Sequence, residues 1–200
     1  MKQATINLPL GNATLSVPAE EAARILIEKF LHEPAARSDS KLPRIGEAWP
    51  GQGGIYAGLM RAEHDAPDYH LVVPTDPASN VQEIAWGGYD HDEPDAKSDF
   101  DGLANTLALC ESERDHPAAK WAAGLVIDGH ADFYLPARRE LSLCYANVPE
   151  LFDKEWHWSS TQSSRDTAYG QTFTNGTQYG YGKDSILRAR AVRRLVNSAI

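Results

Sequence analysis

The sequence lacks the marks of a secreted, membrane-spanning or nucleic-acid-binding protein. No basic start is followed by an apolar stretch at the N-terminus, and no apolar run is long enough to span a bilayer. Lys and Arg number 19 against 28 Asp and Glu, so the net charge is −9. This balance argues against a general binder of nucleic acid or anionic membranes. We therefore expect a protein made in the cytoplasm without a signal peptide or membrane insertion, whose acidic surface serves solubility.

Cysteine is scarce as well. The chain has two, Cys110 and Cys144, and both stand beside leucines in apolar stretches. This setting favours buried free thiols in a reducing compartment, although a disulfide between them stays open.

Signatures of catalysis are also missing. None of the seven His residues forms the i, i+4 pair of a helical zinc motif. Asp128, His130 and Asp132 could be fragments of a Ser/His/Asp set, but no G-x-S-x-G nucleophile elbow accompanies them. The Gly-rich segment 51–54 is not a phosphate-binding loop. It lacks the Lys-Ser/Thr pair of such a loop, and it precedes a predicted strand, whereas a phosphate-binding loop precedes a helix. No catalytic residue, cofactor or metal ligand is therefore assigned.

An acidic loop spans Asp90–Asp101. Several carboxylates in one flexible loop can hold Ca²⁺, but their spacing departs from the EF-hand pattern. A solvated acidic loop is the favoured interpretation, and a cation site is the alternative.

The composition otherwise indicates a folded chain, with a hydrophobic share of 42% and five Trp in 200 residues. Two alternating stretches, Thr5–Leu8 and Ala13–Val17, predict a hairpin, and helical spacing follows over 19–31. We interpret residues 1–34 as a ββα attachment or oligomerisation unit and 35–44 as a linker; a plain elaboration of one domain is the alternative. Residues 45–200 form the main domain.

The main domain mixes strands and helices, which predicts the α+β class. Strands are predicted at 55–60 and 69–73, which should pair as a hairpin, and at 191–196, and a short strand followed by a turn is predicted within 84–89. Helices are predicted at 102–114, 117–124 and 137–146.

For several polar residues of this domain, a role in stabilising the fold is a better explanation than a role in catalysis. Glu140, Arg190 and Arg193 supply carboxylate and guanidinium groups that can tie distant segments together through bidentate bonds. Trp158 is expected to anchor the core, and the hydroxyls of Ser159–Thr161 are expected to cap backbone groups in a turn.

The run 162–181 differs from the rest because it is rich in Tyr, Ser, Gly and Thr and also contains Asn175. Binding loops favour such residues, which combine rigid amphipathic rings with small adaptable polar groups. We predict that these loops bind a ligand, with inert loops as the alternative. The candidate ligand-binding residues are Gln162, Ser164, Arg165, Tyr169, Gln171, Thr174, Asn175, Gln178, Tyr179 and Tyr181.

An ordered series of motifs resembles the Lcl C-terminal-type domain of bacterial surface proteins, phages and prophages. The series is Asp132–Pro136, Arg139–Leu141, Trp158–Thr161, Ala168, Phe173, Gly176, Lys183 and Arg190–Arg193. It covers about residues 124–196, and the strands of 49–88 are similar to the N-terminal part of prophage versions.

The resemblance implies a C-type-lectin-like fold, related in architecture to formylglycine-generating enzymes and to the variable proteins of diversity-generating retroelements. In those variable proteins the loops before the last strand bind ligands, and by position these correspond to 162–181. The chain departs from the pattern at Phe133-Tyr134, and it lacks the Glu-Pro-Asn and Trp-Asn-Asp signatures of calcium-dependent lectins. Cys110 and Cys144 also do not form the close pair that copper chemistry requires, so neither activity carries over.

Together these features predict a phage- or prophage-encoded, non-catalytic binding protein of the virion: a tail-fibre, tail-tip or decoration component. Its partners would be a host-surface protein or glycan, other virion proteins through residues 1–34, and further copies of itself in a homo-oligomer. Two alternatives stay open. One is a structural virion protein that binds only neighbouring subunits, and the other is a metal-dependent enzyme on the same fold.

Overall fold

The computed structural model describes residues 5–10, 13–18, 42–63 and 66–196. The chain divides into two compact units, Met1–Lys41 and Leu42–Ile200. In the first unit, β1 (Thr5–Leu10) pairs antiparallel with β2 (Ala13–Pro18), which confirms the predicted hairpin. The helix predicted at 19–31 and most of the predicted linker lie outside the described residues.

The described part of the second unit contains three α-helices and ten strands, which confirms the α+β class. The helices are α1 (Gly102–Glu111), α2 (Pro117–Ala123) and α3 (Arg138–Asn147). The strands are β3 (Ala48–Trp49), β4 (Gly54–Met60), β5 (Tyr69–Pro74), β6 (Asn80–Ala85), β7 (Phe133–Tyr134), β8 (Trp156–Gln162), β9 (Thr167–Thr172), β10 (Gln178–Gly182), β11 (Ile186–Arg190) and β12 (Val192–Val196). No helix among the described residues is long and apolar enough to cross a bilayer.

The ten strands form two five-stranded sheets. The first has the order β3-β4-β5-β12-β7, and the second has the order β10-β9-β8-β11-β6. Only the buried residue Ala191 separates β11 from β12, and these two strands belong to different sheets. The direct succession of β11 and β12 therefore fixes the two sheets next to each other.

Two apolar clusters fill the interior. One joins α1 and α2 to the second sheet, with Trp86, Leu109 and Trp158 among its buried members. The other joins α3 to the first sheet and includes Leu71 and Leu141. Burial of large apolar side chains contributes about 2 kcal/mol each, so these clusters supply most of the driving force for folding.

The helix starts agree with the sequence chemistry. The Asp101 side chain accepts a hydrogen bond from the Ala104 N–H and caps α1, and Pro117 is the first residue of α2. All three predicted helices are confirmed, and so is the predicted hairpin of β4 and β5. Both cysteines are free; Cys144 is buried and Cys110 is partly buried.

The short strand and turn predicted within 84–89 are both present, although the strand begins earlier than predicted, at Asn80. β6 ends at Ala85 because Gly87 and Gly88 adopt φ of +91° and +63°, which turns the chain away from the sheet. Trp86 consequently points into the core, where its indole N–H donates to the Ser159 carbonyl at 2.9 Å.

Candidate ligand-binding surface

A buried carboxylate holds the frame of the main domain together. Glu140 Oε1 accepts hydrogen bonds from the hydroxyls of Tyr69 (2.7 Å) and Tyr134 (2.6 Å), and Oε2 accepts from the Ala137 N–H (2.6 Å). Desolvation raises the pKa of Glu140 to about 7, although these three bonds and Arg194 oppose the shift. Glu140 therefore ties β5, β7 and the start of α3 into one unit, in the structural role that the sequence predicted.

Two arginines near the end of the chain connect further segments. Arg193 donates to Asp132 Oδ1 and to Gln52 Oε1, both at 2.6 Å. Arg190 is buried and donates to the Pro74 carbonyl at the end of β5. These guanidinium groups do tie distant segments, but they do so through single hydrogen bonds to Asp132 and to the Pro74 carbonyl instead of the predicted bidentate pairs with a carboxylate.

The Trp158–Thr161 motif forms most of β8, so its predicted placement in a turn is wrong. Trp158 is fully buried, which confirms the predicted anchor, and its indole N–H donates to the Ile84 carbonyl at 2.9 Å. Ser159 Oγ donates to the Tyr169 carbonyl, and Thr161 Oγ1 donates to the Ser98 carbonyl. The hydroxyls do satisfy backbone groups, but they do so between neighbouring segments of the fold.

The run 162–181 is largely sheet and not loop, which corrects the prediction. It contains the end of β8, all of β9 and most of β10, joined by short turns at 163–166 and 173–177. Its Gly, Ser and Thr content suggested loops, but alternate residues here bury small side chains such as Ala168 within the sheet. β10 is the outermost strand of the second sheet, so the run forms an edge of that sheet.

Two of the ten candidate residues lie in the interior. Gln162 is buried, and its Oε1 accepts from Lys183 Nζ at 2.6 Å and from the Glu93 N–H at 2.8 Å. Gln171 is also buried, and its side-chain amide donates to the Leu141 carbonyl at 3.2 Å. Both predictions are corrected, because a side chain that satisfies interior polar groups is not presented to a ligand.

Strand alternation separates the candidate tyrosines. Tyr179 and Tyr181 extend from one face of β10, whereas Tyr169 and Gln178 lie on the opposite face, towards α3. The Arg138 guanidinium lies 3.9 Å from the centre of the Tyr169 ring, and Arg138 Nε donates to Gln178 Oε1 at 2.9 Å. Tyr169 and Gln178 therefore help to dock the start of α3 on the sheet.

The other face carries a row of three aromatic rings, which we call the aromatic row: Tyr179, Tyr181 and Trp156. Ring centroids are 5.4 Å apart between the two tyrosines and 4.9 Å apart between Tyr181 and Trp156, and both pairs meet edge to face. Tyr179 is 63% exposed. The sequence prediction omitted Trp156, although its position two residues before Trp158 on the same strand indicates a shared face.

Gly170 lies beneath the aromatic row, on β9 opposite Tyr179 and Trp158. A Cβ at Gly170 would come within 3.1 Å of Leu187 Cδ1, which is a tight contact, and within 3.5 Å of the Tyr181 ring, which is ordinary van der Waals contact. The missing side chain thus leaves space for Leu187 beside the Tyr181 ring.

The remaining candidates lie in the two turns, at opposite ends of β9. Ser164 Oγ accepts from the N–H groups of Asp166 and Thr167, and the exposed Arg165 pairs with Asp90 at 2.8 Å. At the other end, Thr174 Oγ1 donates to the Lys154 carbonyl and Asn175 Oδ1 accepts from the Thr177 N–H. Because a six-residue strand is roughly 20 Å long, one small ligand cannot reach both turns.

A buried polar network lies behind the sheet edge. Lys183 donates to the His91 carbonyl and to Gln162 Oε1, both at 2.6 Å, and desolvation lowers its pKa to about 8. Glu93 Oε1 accepts from the Ser112 hydroxyl and lies 3.0 Å from His116 Nε2. Burial lowers the pKa of His116, despite the neighbouring carboxylate. These bonds attach the 91–93 segment to β8 and to the segment before β11.

The acidic residues and the histidine that could have served as metal ligands or catalytic groups instead make hydrogen bonds and ion pairs within the domain. Asp92 pairs with Lys97 at 2.9 Å, and Asp101 pairs with Arg194 at 2.8 Å. His130 closes the predicted 128–130 turn, where its backbone exchanges two hydrogen bonds with Ile127. Within the described residues, no group of three or more His, Cys, Asp or Glu side chains is arranged to hold a metal ion.

The chain matches no model of a known protein family, and a search of curated proteins finds no match. The chemistry of the surface has therefore to be argued from its own residues. The feature that distinguishes it is the aromatic row, which runs from Tyr179 and Tyr181 on the outermost strand β10 to Trp156 on β8.

Proposed function

We propose that this chain is a non-catalytic binding protein of a phage or prophage virion, a tail-fibre, tail-tip or decoration component. It would present the sheet edge of 162–182 to a host-surface protein or glycan. Residues 1–34 would attach it to other virion proteins or assemble a homo-oligomer. The ordered motifs shared with the Lcl C-terminal-type domain support this assignment, and with it a C-type-lectin-like fold.

The observation that carries the proposal is the aromatic row, in which Tyr179 is exposed and Tyr181 and Trp156 are half-buried. Such rings offer large contact areas with few rotatable bonds, which makes them effective anchors for a ligand. Leaving Tyr179 in water forgoes most of the roughly 2 kcal/mol that its burial would contribute. Binding of a partner provides that burial.

The test replaces Tyr179 and Tyr181 together with Ala and measures adsorption of labelled protein to cells of the host bacterium. We expect at least about a tenfold loss of affinity, equivalent to about 1.4 kcal/mol. The matched control is Tyr89→Ala, which removes a tyrosine of similar exposure (56%) outside the aromatic row. Unchanged adsorption by a folded double variant would refute this role of the row.

A second candidate is a structural virion protein that binds only neighbouring subunits. The observation in its favour is that β10 lies at a sheet edge and contains no charged residue or Pro within Gln178–Gly182. Such an edge is open to pairing with another strand. A defined oligomer that is disrupted by Gly180→Pro, together with no adsorption to cells, would favour this candidate.

A further inference from the structure

A shallow cleft of about 320 Å³ lies at the Trp156 end of the aromatic row. Trp156, Ile186 and Leu187 supply its apolar surface, and Ile186 is 58% exposed. Tyr181 supports the Trp156 ring from the side, with ring centroids 4.9 Å apart. An indole held edge-on by a second ring is fixed in position, so it can offer a flat face to a ligand.

Polar groups surround this apolar surface. Gln82, Glu83, Glu155 and Arg188 complete the cleft lining. Within the described residues, the carboxylates of Glu83 and Glu155 have no hydrogen-bond or ion-pair partner. They are therefore free to accept hydrogen bonds, and the amide of Gln82 can both donate and accept.

This combination fits the chemistry of a sugar ring. A pyranose has apolar C–H faces that pack on an aromatic ring, and it has hydroxyl groups around its rim that need paired donors and acceptors. A shallow, open cleft also suits an oligosaccharide better than a compact apolar cofactor, which needs deeper burial.

The charges around the cleft restrict the class of sugar. Arg188 is paired with Asp153 at 3.3 Å, so its positive charge is already compensated. Asp153 also accepts from Gln82 Nε2 at 3.2 Å. The unpaired carboxylates of Glu83 and Glu155 leave the local field negative, which disfavours sulfated, sialylated or uronic-acid groups.

We infer that the cleft beside Trp156 is a subsite for a saccharide that has no carboxylate or sulfate groups. Trp156 would stack on the sugar ring, while Gln82, Glu83 and Glu155 would bind its hydroxyls. This inference rests on the proposed binding function and narrows its ligand to a neutral or amino sugar, with the aromatic row extending the contact to further sugar units.

The test incubates the labelled full chain with a glycan array whose members are neutral, amino, sulfated or sialylated. Ile186→Asp places a charge on the exposed floor of the cleft, and Leu107→Asp is its control, since Leu107 is an equally accessible apolar residue (51%) on α1. We expect binding to neutral or amino glycans, weakened at least about tenfold by Ile186→Asp and unchanged by Leu107→Asp.

A second variant pair, Glu83→Ala and Glu155→Ala, removes exposed rim groups without altering the core. We expect each to weaken the same glycan interaction several-fold. Binding only to anionic glycans, or glycan binding that survives Ile186→Asp, would overturn the inference. Adsorption to cells that depends on Tyr179 and Tyr181, without any glycan binding, would overturn the subsite while leaving the proposed function intact.

Discussion

Gly102 leaves open the space that the carboxylate of Glu140 occupies. A Cβ at Gly102 would overlap Glu140 Oε2 and the backbone nitrogen of Ala137. Gly102 is the first residue of α1, and Glu140 lies in the first turn of α3. The starts of the two helices can therefore approach the same buried carboxylate, which α3 supplies and for which α1 makes room.

Gly102→Ala is consequently expected to destabilise the protein. Intrinsic helix propensity alone favours Ala by about 1 kcal/mol, but the new methyl group would displace a hydrogen-bonded carboxylate. We expect a net loss of about 2 kcal/mol or more in the free energy of unfolding, measured by urea denaturation. Leu107→Ala, on the exposed side of the same helix, is the control and should change stability far less. A Gly102→Ala variant as stable as the parent would contradict this packing.

Glu140→Ala tests the same site from the other side. The substitution would leave the Tyr134 hydroxyl and the Ala137 N–H without their acceptor in the interior, and the Tyr69 hydroxyl with only the Phe100 carbonyl. We expect a cost of about 3–5 kcal/mol in the free energy of unfolding. Glu113→Ala, at an exposed carboxylate after α1, serves as the control and should stay within about 0.5 kcal/mol of the parent. A loss below about 1 kcal/mol at Glu140 would show that the three donors find other partners.

The sequence predicted secondary structure well where the signal lies within a short stretch, such as the apolar periodicity of a helix or a residue that starts one. α1 and α2 were predicted from their apolar pattern and from Pro117 at a helix start, and the structural role of Glu140 followed from its type and setting. The turn after β6 was predicted from Gly87 and Gly88, but the start of β6 at Asn80 was missed because Asn and Glu are disfavoured in strands.

The candidate surface was only partly predictable. The prediction placed the candidate surface in 162–181 and treated this stretch as loop because Ser, Gly and Asn are typical of loops. Which residues face outwards depends on register, and register placed Gln162 and Gln171 inside and Tyr169 against α3. The contribution of Trp156 depends on a ring contact between β8 and β10, which are separated by β9.

His157 makes the protein sensitive to acid. It is fully buried against Phe152 and Phe173, its Nε2 has no partner among the described residues, and desolvation lowers its pKa to about 4. Below pH 6.5, His157 becomes protonated in the unfolded chain but stays neutral in the folded chain. The free energy of unfolding therefore falls as pH drops from 6.5 towards 4. The shift corresponds to a loss of about 3 kcal/mol across this window.

The measurement compares urea denaturation of the parent and of His157→Phe between pH 7 and pH 4. The Phe variant should lose about 3 kcal/mol less than the parent over this range, because its ring cannot be protonated. Glu140 titrates in the opposite direction: its raised pKa of about 7 adds stability as pH falls. Glu140 is present in both proteins, so the difference between the two curves isolates His157. Parallel curves would contradict the assignment.

The contact between Lys183 and Gln162 decides whether Gln162 belongs to the frame or to the binding surface. Lys183→Met removes the donor to the His91 carbonyl and leaves Gln162 Oε1 with only the Glu93 N–H, and Gln162→Ala leaves the buried ammonium with one acceptor fewer. We expect each single change to cost about 2–3 kcal/mol in the free energy of unfolding. Because each removes the same bond, the double variant should cost less than the sum by about 1–2 kcal/mol. Additive losses of stability would contradict the assignment of Gln162 to the frame. A Gln162→Ala variant that keeps its stability but no longer binds its ligand would also contradict it and would show that Gln162 belongs to the binding surface.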